Sequence, residues 1–337
     1  MRKITWHMQQ ITFSSKIDRL RQHWQRPHAV GGEVNAHSVI TDITAVGIQA
    51  HFGRHDIDQY AWADLLQLAN DSHLTDHINA AFSGARINTT EDRPVLHTAL
   101  RRPLDQPLEV DGKDVMQEVA ASQALMATIV DKLHQEQKVE GHPNTITDII
   151  HIGIGGSDLG PVMLQHALQP YAHHALRYHF FSNVDQAYLQ QQLATIDPST
   201  TIVMIVSKSF TTYETISNAS FVRQWLQESG LSQGVLKAAL FAVTASPDLA
   251  RDFGIPSDHI LPFWSWVGGR FSVWSAVSLT VAMSIGMQRY HEFLAGGYAM
   301  DQHFQQAEYA VNLPVVMGLL GIWYGNVQQA TTQAVIS

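Results

Sequence analysis

The sequence predicts an α/β protein: a three-layer, doubly wound parallel sheet of five strands, preceded by a helical N-terminal segment and followed by further helices. Three observations carry this expectation. Near-continuous apolar runs recur between residues 147 and 264. Each run is followed by a stretch whose apolar residues have helical spacing. The runs also lack the alternation of a sheet with one wet face, so both faces must be covered, as in sheets built from strand–helix–strand crossovers.

Residues 1–115 read as helical and loop segments, with "QYAWADLLQLAN" as the clearest amphipathic helix. "TTEDRPVLHTAL" reads as a helix start, because Thr precedes acidic residues and then an apolar run. "DGKDVMQEVAASQALMATIVDKLHQE" follows as a long helix. The sheet domain is placed at 116–286. Its strands are "TDIIHIGI" (147–154), "RYHFFS" (177–182), "TIVMIVS" (201–207), "AALFAVTA" (238–245) and "HILPFW" (259–264). "DQAYLQQQLA", "YETISNASFVRQWLQES" and "SPDLARDFG" read as intervening helices. "GGSDLGP" opens another, with Pro161 suited to its first turn. Residues 287–337 form a third segment. In it, "NLPVVMGLLGIWYGNV" is a strongly apolar helix and "TTQAVIS" reads as a strand.

Composition narrows the function. Of 337 residues, 45% are hydrophobic, as in ordinary globular proteins, and the net charge of −9 leaves no electrostatic footprint for nucleic acid. There is no cysteine, which excludes disulfides and thiolate chemistry. "MRKITWHMQQITFSSK" starts basic but lacks the apolar core of a secretory signal. The most apolar stretch, "FSVWSAVSLTVAMSIGM", is too short and too rich in Ser and Thr to cross a bilayer, and reads as a buried helix. The 19 histidines show no HExxH spacing and no carboxylate beside "YAHHALRYHF", so no metal is expected; the expectation for cofactors is likewise none.

Three loops carry the chemistry. "GIGGSDLG" is a glycine-rich turn between strand and helix, where the backbone can approach an anion at a helix N-terminus. It is not the dinucleotide fingerprint: counted from Gly153, the third glycine falls on Asp158. "SKSFTT" crowds Ser207, Ser209, Thr211 and Thr212 around Lys208 directly after a buried strand. Hydroxyls and one cation there suit a phosphate held mainly by neutral donors. Thr211 to Glu214 also matches a capping box, so Glu214 reads as a helix cap. "SWVGGRFSVWS" lets Gly268 and Gly269 turn the backbone and set Arg270 at the rim, where a guanidinium can stabilise an oxyanion. Its aromatic residues, with Trp264, read as core.

Together these segments resemble the glucose-6-phosphate isomerase family. "IGIGGSDLGP", "FSNVD", "SKSFTTYET" and "WVGGRFSVWSA" stand in the family's order and spacing. Flanking stretches such as "FSGARINTTEDRPVLHTALR", "AVTASPDLARDFGI" and "NLPVVMGLLGIWYGN" agree, and the likeness is strong from about residue 80 onward. The resemblance implies a cytoplasmic, homodimeric, metal-free glycolytic enzyme. It interconverts glucose 6-phosphate and fructose 6-phosphate through an enediolate. It implies two sugar-isomerase (SIS) domains, with 116–286 as the first and 287–337 as the truncated start of the second. It assigns Gly156 and Ser157 to the substrate, Ser207, Lys208, Ser209 and Thr212 to the phosphate, and Arg270 to the enediolate. Ser209 stands where the family more often has Thr. The family's proton-shuttling Glu, ring-opening His and C-terminal Lys stand beyond residue 337, so this chain alone is expected to be inactive.

Two other functions fit parts of the sequence. A non-catalytic SIS module that binds a sugar phosphate needs only the loops. A nicotinamide enzyme would use the glycine loop and Asp185 at the end of the second strand, but its fingerprint fails at Asp158.

Overall fold

The computed structural model describes residues 14–22 and 38–336. The reading of residues 1–13 as no secretory signal lies outside the described residues. In chain order the described elements are α1 (14–22), β1 (Ile43–Ala45), β2 (Ile48–Ala50), α2 (Gln59–Asp71), α3 (Leu74–Phe82), β3 (Glu109–Val110), β4 (Lys113–Asp114) and α4 (Val115–Glu136). The sheet segment follows: β5 (Asp148–Ile152), α5 (Gly156–Ala167), β6 (Arg177–Phe181), α6 (Gln186–Leu193), β7 (Thr201–Val206), α7 (Tyr213–Glu228), α8 (Gln233–Ala238), β8 (Leu240–Thr244), α9 (Pro247–Asp252) and β9 (Ile260–Pro262). The last helices are α10 (Leu279–Gln306) and α11 (Leu313–Ile322).

The chain divides into two compact units, 1–80 with 296–337, and 81–295. In the first, an apolar cluster gathers Ile17 and Leu20 from α1, Leu65 and Leu68 from α2, and Val316, Leu319 and Leu320 from α11. Asp58 caps α2 by accepting from the N–H of Tyr60 and Ala61 at 3.0 and 2.8 Å. The short antiparallel hairpin β1–β2 lies in the segment read as helix and loop. Thr331–Ile336, read as a strand, form none: a lone segment has no neighbour to complete a ladder.

The second unit contains the five-stranded, all-parallel sheet, ordered β6-β5-β7-β8-β9. Every residue of β5, β7 and β8 is buried, which explains why their sequences do not alternate. The faces still separate with period two. Ile149, Ile202, Met204, Val206 and Phe241 pack with Val119, Met126 and Val130 of α4 and with α10. Ile150, Ile152, Val203, Ile205 and Ala242 pack with Leu189 of α6, Val222 and Leu226 of α7, and Ala250 of α9.

Three local expectations differ from the structure. Thr89–Thr90 open a turn closed by an Asn88–Arg93 bridge, and only a 3₁₀ segment, His97–Arg101, follows. Pro161 lies inside α5 rather than in its first turn. The stretch from Gly269 to Met287 is buried for most of its length but is not one helix. Two 3₁₀ turns, Gly269–Trp274 and Ala276–Ser278, precede α10, and Gly286 breaks α10 with φ 81°. Among the described residues no helix is long and apolar enough to cross a membrane.

The sheet is anchored at its opposite end by Asp148, which is 0% exposed. Its carboxylate accepts from Arg177 Nη2 at 2.7 Å, His179 Nε2 at 2.8 Å and Thr147 Oγ1 at 2.7 Å. Burial pushes this carboxyl up, but the three donors outweigh burial and hold it below the usual range. Asp148→Ala is expected to lower the unfolding free energy by about 2 kcal/mol. An unchanged urea midpoint would place the anchor elsewhere.

Candidate functional site

The order β6-β5-β7 means that the chain leaves β5 toward one edge and later returns past it. Ligands of doubly wound sheets bind at such a reversal, beyond the carboxyl ends of the two strands. There a cavity of about 450 Å³ opens. Gly156 and Ser157 line it from the start of α5, just after β5, and Ser207, Lys208, Ser209 and Thr212 from the loop after β7. These are the six residues that the sequence assigned to substrate and phosphate, and the fold brings them together. Thr215, Ser246 and Gly269 complete the polar and glycine part of the wall. Arg270 is exposed and directly follows Gly269, but its side chain is not part of the wall.

The loop after β7 is held by its own hydroxyls. Ser207 Oγ accepts from the Phe210 N–H at 3.1 Å and donates to Thr212 Oγ1 at 3.1 Å. Ser209 Oγ accepts from the N–H and the hydroxyl of Thr211, at 3.2 and 2.8 Å. Each hydroxyl has one proton to give. Those of Ser209 and Thr212 therefore remain available to a ligand. Thr215 Oγ1 meets no hydrogen-bond partner but is itself buried behind the wall, the residue being 2% exposed. Phe210 makes the tight turn with φ 54°, a strained value for a side chain of its size, and its ring is buried against Phe253 at 5.8 Å. The expected capping box is absent. Thr212 is the N-cap of α7, without a side-chain cap bond, because Thr211 is turned onto Ser209.

Lys208 is less free than the sequence suggests. Its Nζ donates to the carbonyls of Ser265 and Val267 at 3.0 and 2.9 Å and lies 5.3 Å from the Phe263 ring centre. Burial, with the nearby Arg93 guanidinium, lowers its proton affinity. Two of its three N–H bonds thus fasten the loop of 265–269 to the loop of 207–212. Arg93 donates to the same Ser265 carbonyl and pairs with Glu91. Nothing in the spacing of "TTEDRP" pointed to this cation, since its partner lies 172 positions further along the chain.

Glycine acts here through close approach. A Cβ on Gly156 would stand 2.2 Å from the carbonyl oxygen of Gly269, and one on Gly160 would stand 2.9 Å from Val273 Cβ. Gly268 itself has φ −74°, so the sharp turn expected at 268–269 is not the reason for a glycine there. The approach is locked by Ser272 Oγ, whose one proton is shared between the carbonyls of Gly269 at 2.7 Å and Gly156 at 3.2 Å. Behind Arg270, the Phe271 ring is 38% exposed rather than core and stacks on His97 at 4.3 Å. Burial and the charge of Arg101 hold His97 down to about 4, so its neutral Nδ1 accepts from Arg101 Nη1 at 3.1 Å.

The donors that the glycine loop might offer an anion are partly used. The N–H groups of Ser157 and Asp158 bond back to the carbonyls of Ile154 and Gly155 at 3.1 Å each. Asp185, the acid of the nicotinamide alternative, caps α6 by accepting from the Tyr188 N–H at 3.1 Å. A second cavity, of about 520 Å³, lies in the other unit beside Phe52, His55, Leu320 and Tyr324. Neither Lys nor Arg lines it, so it offers an anion little. Among the described residues no group of three His, Asp or Glu could hold a metal ion.

Comparison with known proteins agrees with this fold. The family model described as phosphoglucose isomerase matches residues 51–337. The chain is 41% identical over 294 residues to glucose-6-phosphate isomerase of Hahella chejuensis, a match covering 87% of the chain and 53% of that relative. It is 42% identical over 285 residues to the enzyme of the same name from Methylococcus capsulatus, covering 85% of the chain and 52% of the relative. A crystal structure of glucose-6-phosphate isomerase from Chlamydia trachomatis superposes with a TM-score of 0.78 at 27% identity, over 93% of this chain and 60% of that one. The chain spans about half the length of the curated relatives it matches.

The buried imidazoles make stability pH-dependent. Both His97 and His151 are held to about 4, mainly by burial. The unfolded chain takes up these protons first, near the ordinary value of about 6.5. Stability is therefore full above that value and drains away as the pH falls from about 6.5 through 4. Unfolding free energies from urea titrations at pH 7, 5.5 and 4.5 are expected to fall in that order, by a few kcal/mol in total. His97→Gln should make the fall shallower, and an unchanged slope would contradict the assignment.

Proposed function

The chain belongs to the phosphoglucose isomerase family, and we propose that its cavity at the β5–β7 reversal holds the phosphate end of glucose 6-phosphate or fructose 6-phosphate for their interconversion. What supports this reading most is one observation. Hydroxyl donors from Ser209 and Thr212 meet, with Lys208, at one cavity. A phosphate dianion presents several acceptor oxygens at once, and such a ring of neutral donors answers it without a second full charge. Its arrival would also favour the charged form of Lys208, against the burial that lowers its proton affinity.

In the proposed reaction the phosphate anchors the sugar, and Gly156 and Ser157 border its carbon chain. Moving a proton between C1 and C2 develops negative charge on an enediolate. Arg270, on the turn locked against Gly156, is the cation placed to meet it. No carboxylate or imidazole lines the cavity, so the base that carries the proton comes from outside this cup. We place the protein in the cytoplasm as a homodimer that acts without a metal or cofactor, with the sheet as its first SIS domain.

Calorimetry with fructose 6-phosphate tests the site. Replacing Ser209 and Thr212 together by Ala is expected to weaken binding by about 3 kcal/mol, since each hydrogen bond to a charged group contributes roughly 1.5–3 kcal/mol. Equal affinity for parent and double variant would place the phosphate elsewhere.

Arg270 has a different signature. In a chain extended to the full length of its relatives, Arg270→Ala should lower kcat by about 10²–10³-fold with little change in KM, because its partner charge exists only in the transition state. A raised KM with unchanged kcat would make it a ground-state binding residue.

A further inference from the structure

Pro161 leaves a gap in α5 that a buried histidine fills. In a regular helix the carbonyl of Ser157 accepts from the N–H four residues on, at position 161. Proline has no N–H to give. The Ser157 carbonyl instead lies 2.7 Å from Nε2 of His151, in β5. The other ring nitrogen, Nδ1, lies 2.9 Å from Thr280 Oγ1 in α10. A carbonyl can only accept, so Nε2 carries the proton, and Nδ1 of the neutral ring accepts from the Thr280 hydroxyl. His151 is 0% exposed, and burial holds it down to about 4, so this tautomer persists at neutral pH. Gly153 leaves the room: a Cβ there would stand 2.6 Å from the Ser157 carbonyl oxygen. Ser157 is thus pressed against the end of β5 and held by the imidazole.

We propose that His151 is the positioning residue of the cavity. It donates to the carbonyl that Pro161 leaves open, and so fixes the peptide of Ser157, whose side chain lines the cavity, and ties it through Thr280 to α10. This rests on the reading of the cavity as a sugar-phosphate site. His151 neither lines the cavity nor takes part in the chemistry. Proline keeps the first turns of α5 rigid at the loss of one hydrogen bond, and the imidazole supplies that bond from a neighbouring strand.

The test exploits this exchange. Fructose 6-phosphate binding is measured by calorimetry on the whole chain. His151→Leu is expected to weaken it tenfold or more, because a buried carbonyl loses its donor. Adding Pro161→Ala returns an N–H to position 161 and should recover most of the loss, while Pro161→Ala alone should bind like the parent. Failure of Pro161→Ala to recover binding would mean that the ring only fills space, and would overturn the proposal. If His151→Leu does not fold, His151→Gln and Thr280→Val take its place. An amide N–H in the first can reach the same carbonyl, and the second frees the tautomer at constant volume. Near-parent affinity in the first with severalfold loss in the second supports the proposal, and the reverse pattern overturns it. Should the parent bind no fructose 6-phosphate, the sugar-phosphate reading falls by itself. The hold on Ser157 is then decided by amide hydrogen exchange over residues 153–160. Exchange quickened by His151→Leu and slowed again by Pro161→Ala upholds it, and unchanged exchange overturns it.

Discussion

The site depends on one topological constraint, the reversal of strand order at β5 and β7. Neighbouring parallel strands whose next helices lie on the same face would have their loops closed over by those helices. Here α5 packs beside the turns before α10 and the start of α10 itself, through Leu164, Val273 and Val281, while α7 packs on the opposite face through Val222 and Leu226. The loops after β5 and β7 therefore part, and a crevice stays open between them. Everything that lines the cavity is placed by that divergence, including the turn of Gly269, which closes the third side.

Charge is used sparingly in that crevice. Lys208 spends two donors on carbonyls of the 265–269 loop, and Arg93 holds one of the same carbonyls. These cations are first of all clamps between loops. Both desolvation and mutual repulsion work against a Lys there, and the carbonyl dipoles offset part of each. An incoming dianion would complete the arrangement by bringing the missing counter-charge. Until then the neutral hydroxyls of Ser209 and Thr212 can wait in a half-dry wall with little penalty, because they carry no net charge.

The sequence shows most of what local pattern determines. The five strands and the helices between them were legible because a strand buried on both faces must be apolar throughout, and "TIVMIV" has no other soluble use. The polar loops were legible because hydroxyl and glycine clusters at strand ends have few structural uses. What stayed hidden depends on partners distant in sequence. The capping box of Thr211 and Glu214 fits the local rule, yet Thr211 turned to Ser209, and Thr212 took the cap position. Thr215 looks like a helix-surface residue, yet it is 2% exposed and borders the cavity with its Oγ1 buried and unpartnered. Arg93 acts through a carbonyl on a distant turn.

The glycines of the first loop make the same point in a stronger form. Taken by itself, "GIGGSDLG" suggests that glycine serves an anion approaching the backbone. In the fold, what comes closest to Gly156 is another stretch of chain, at Gly269. The space that a side chain would have filled is given to the turn that carries Arg270. A glycine chosen for backbone packing and one chosen for a ligand leave the same letter in the sequence. Only the contact across the fold separates them, and here Gly156 is where the start of α5 and the turn that carries Arg270 meet. If the cavity holds the phosphate end of a sugar as proposed, a rigid distance between cup and cation matters more than one additional donor to the anion.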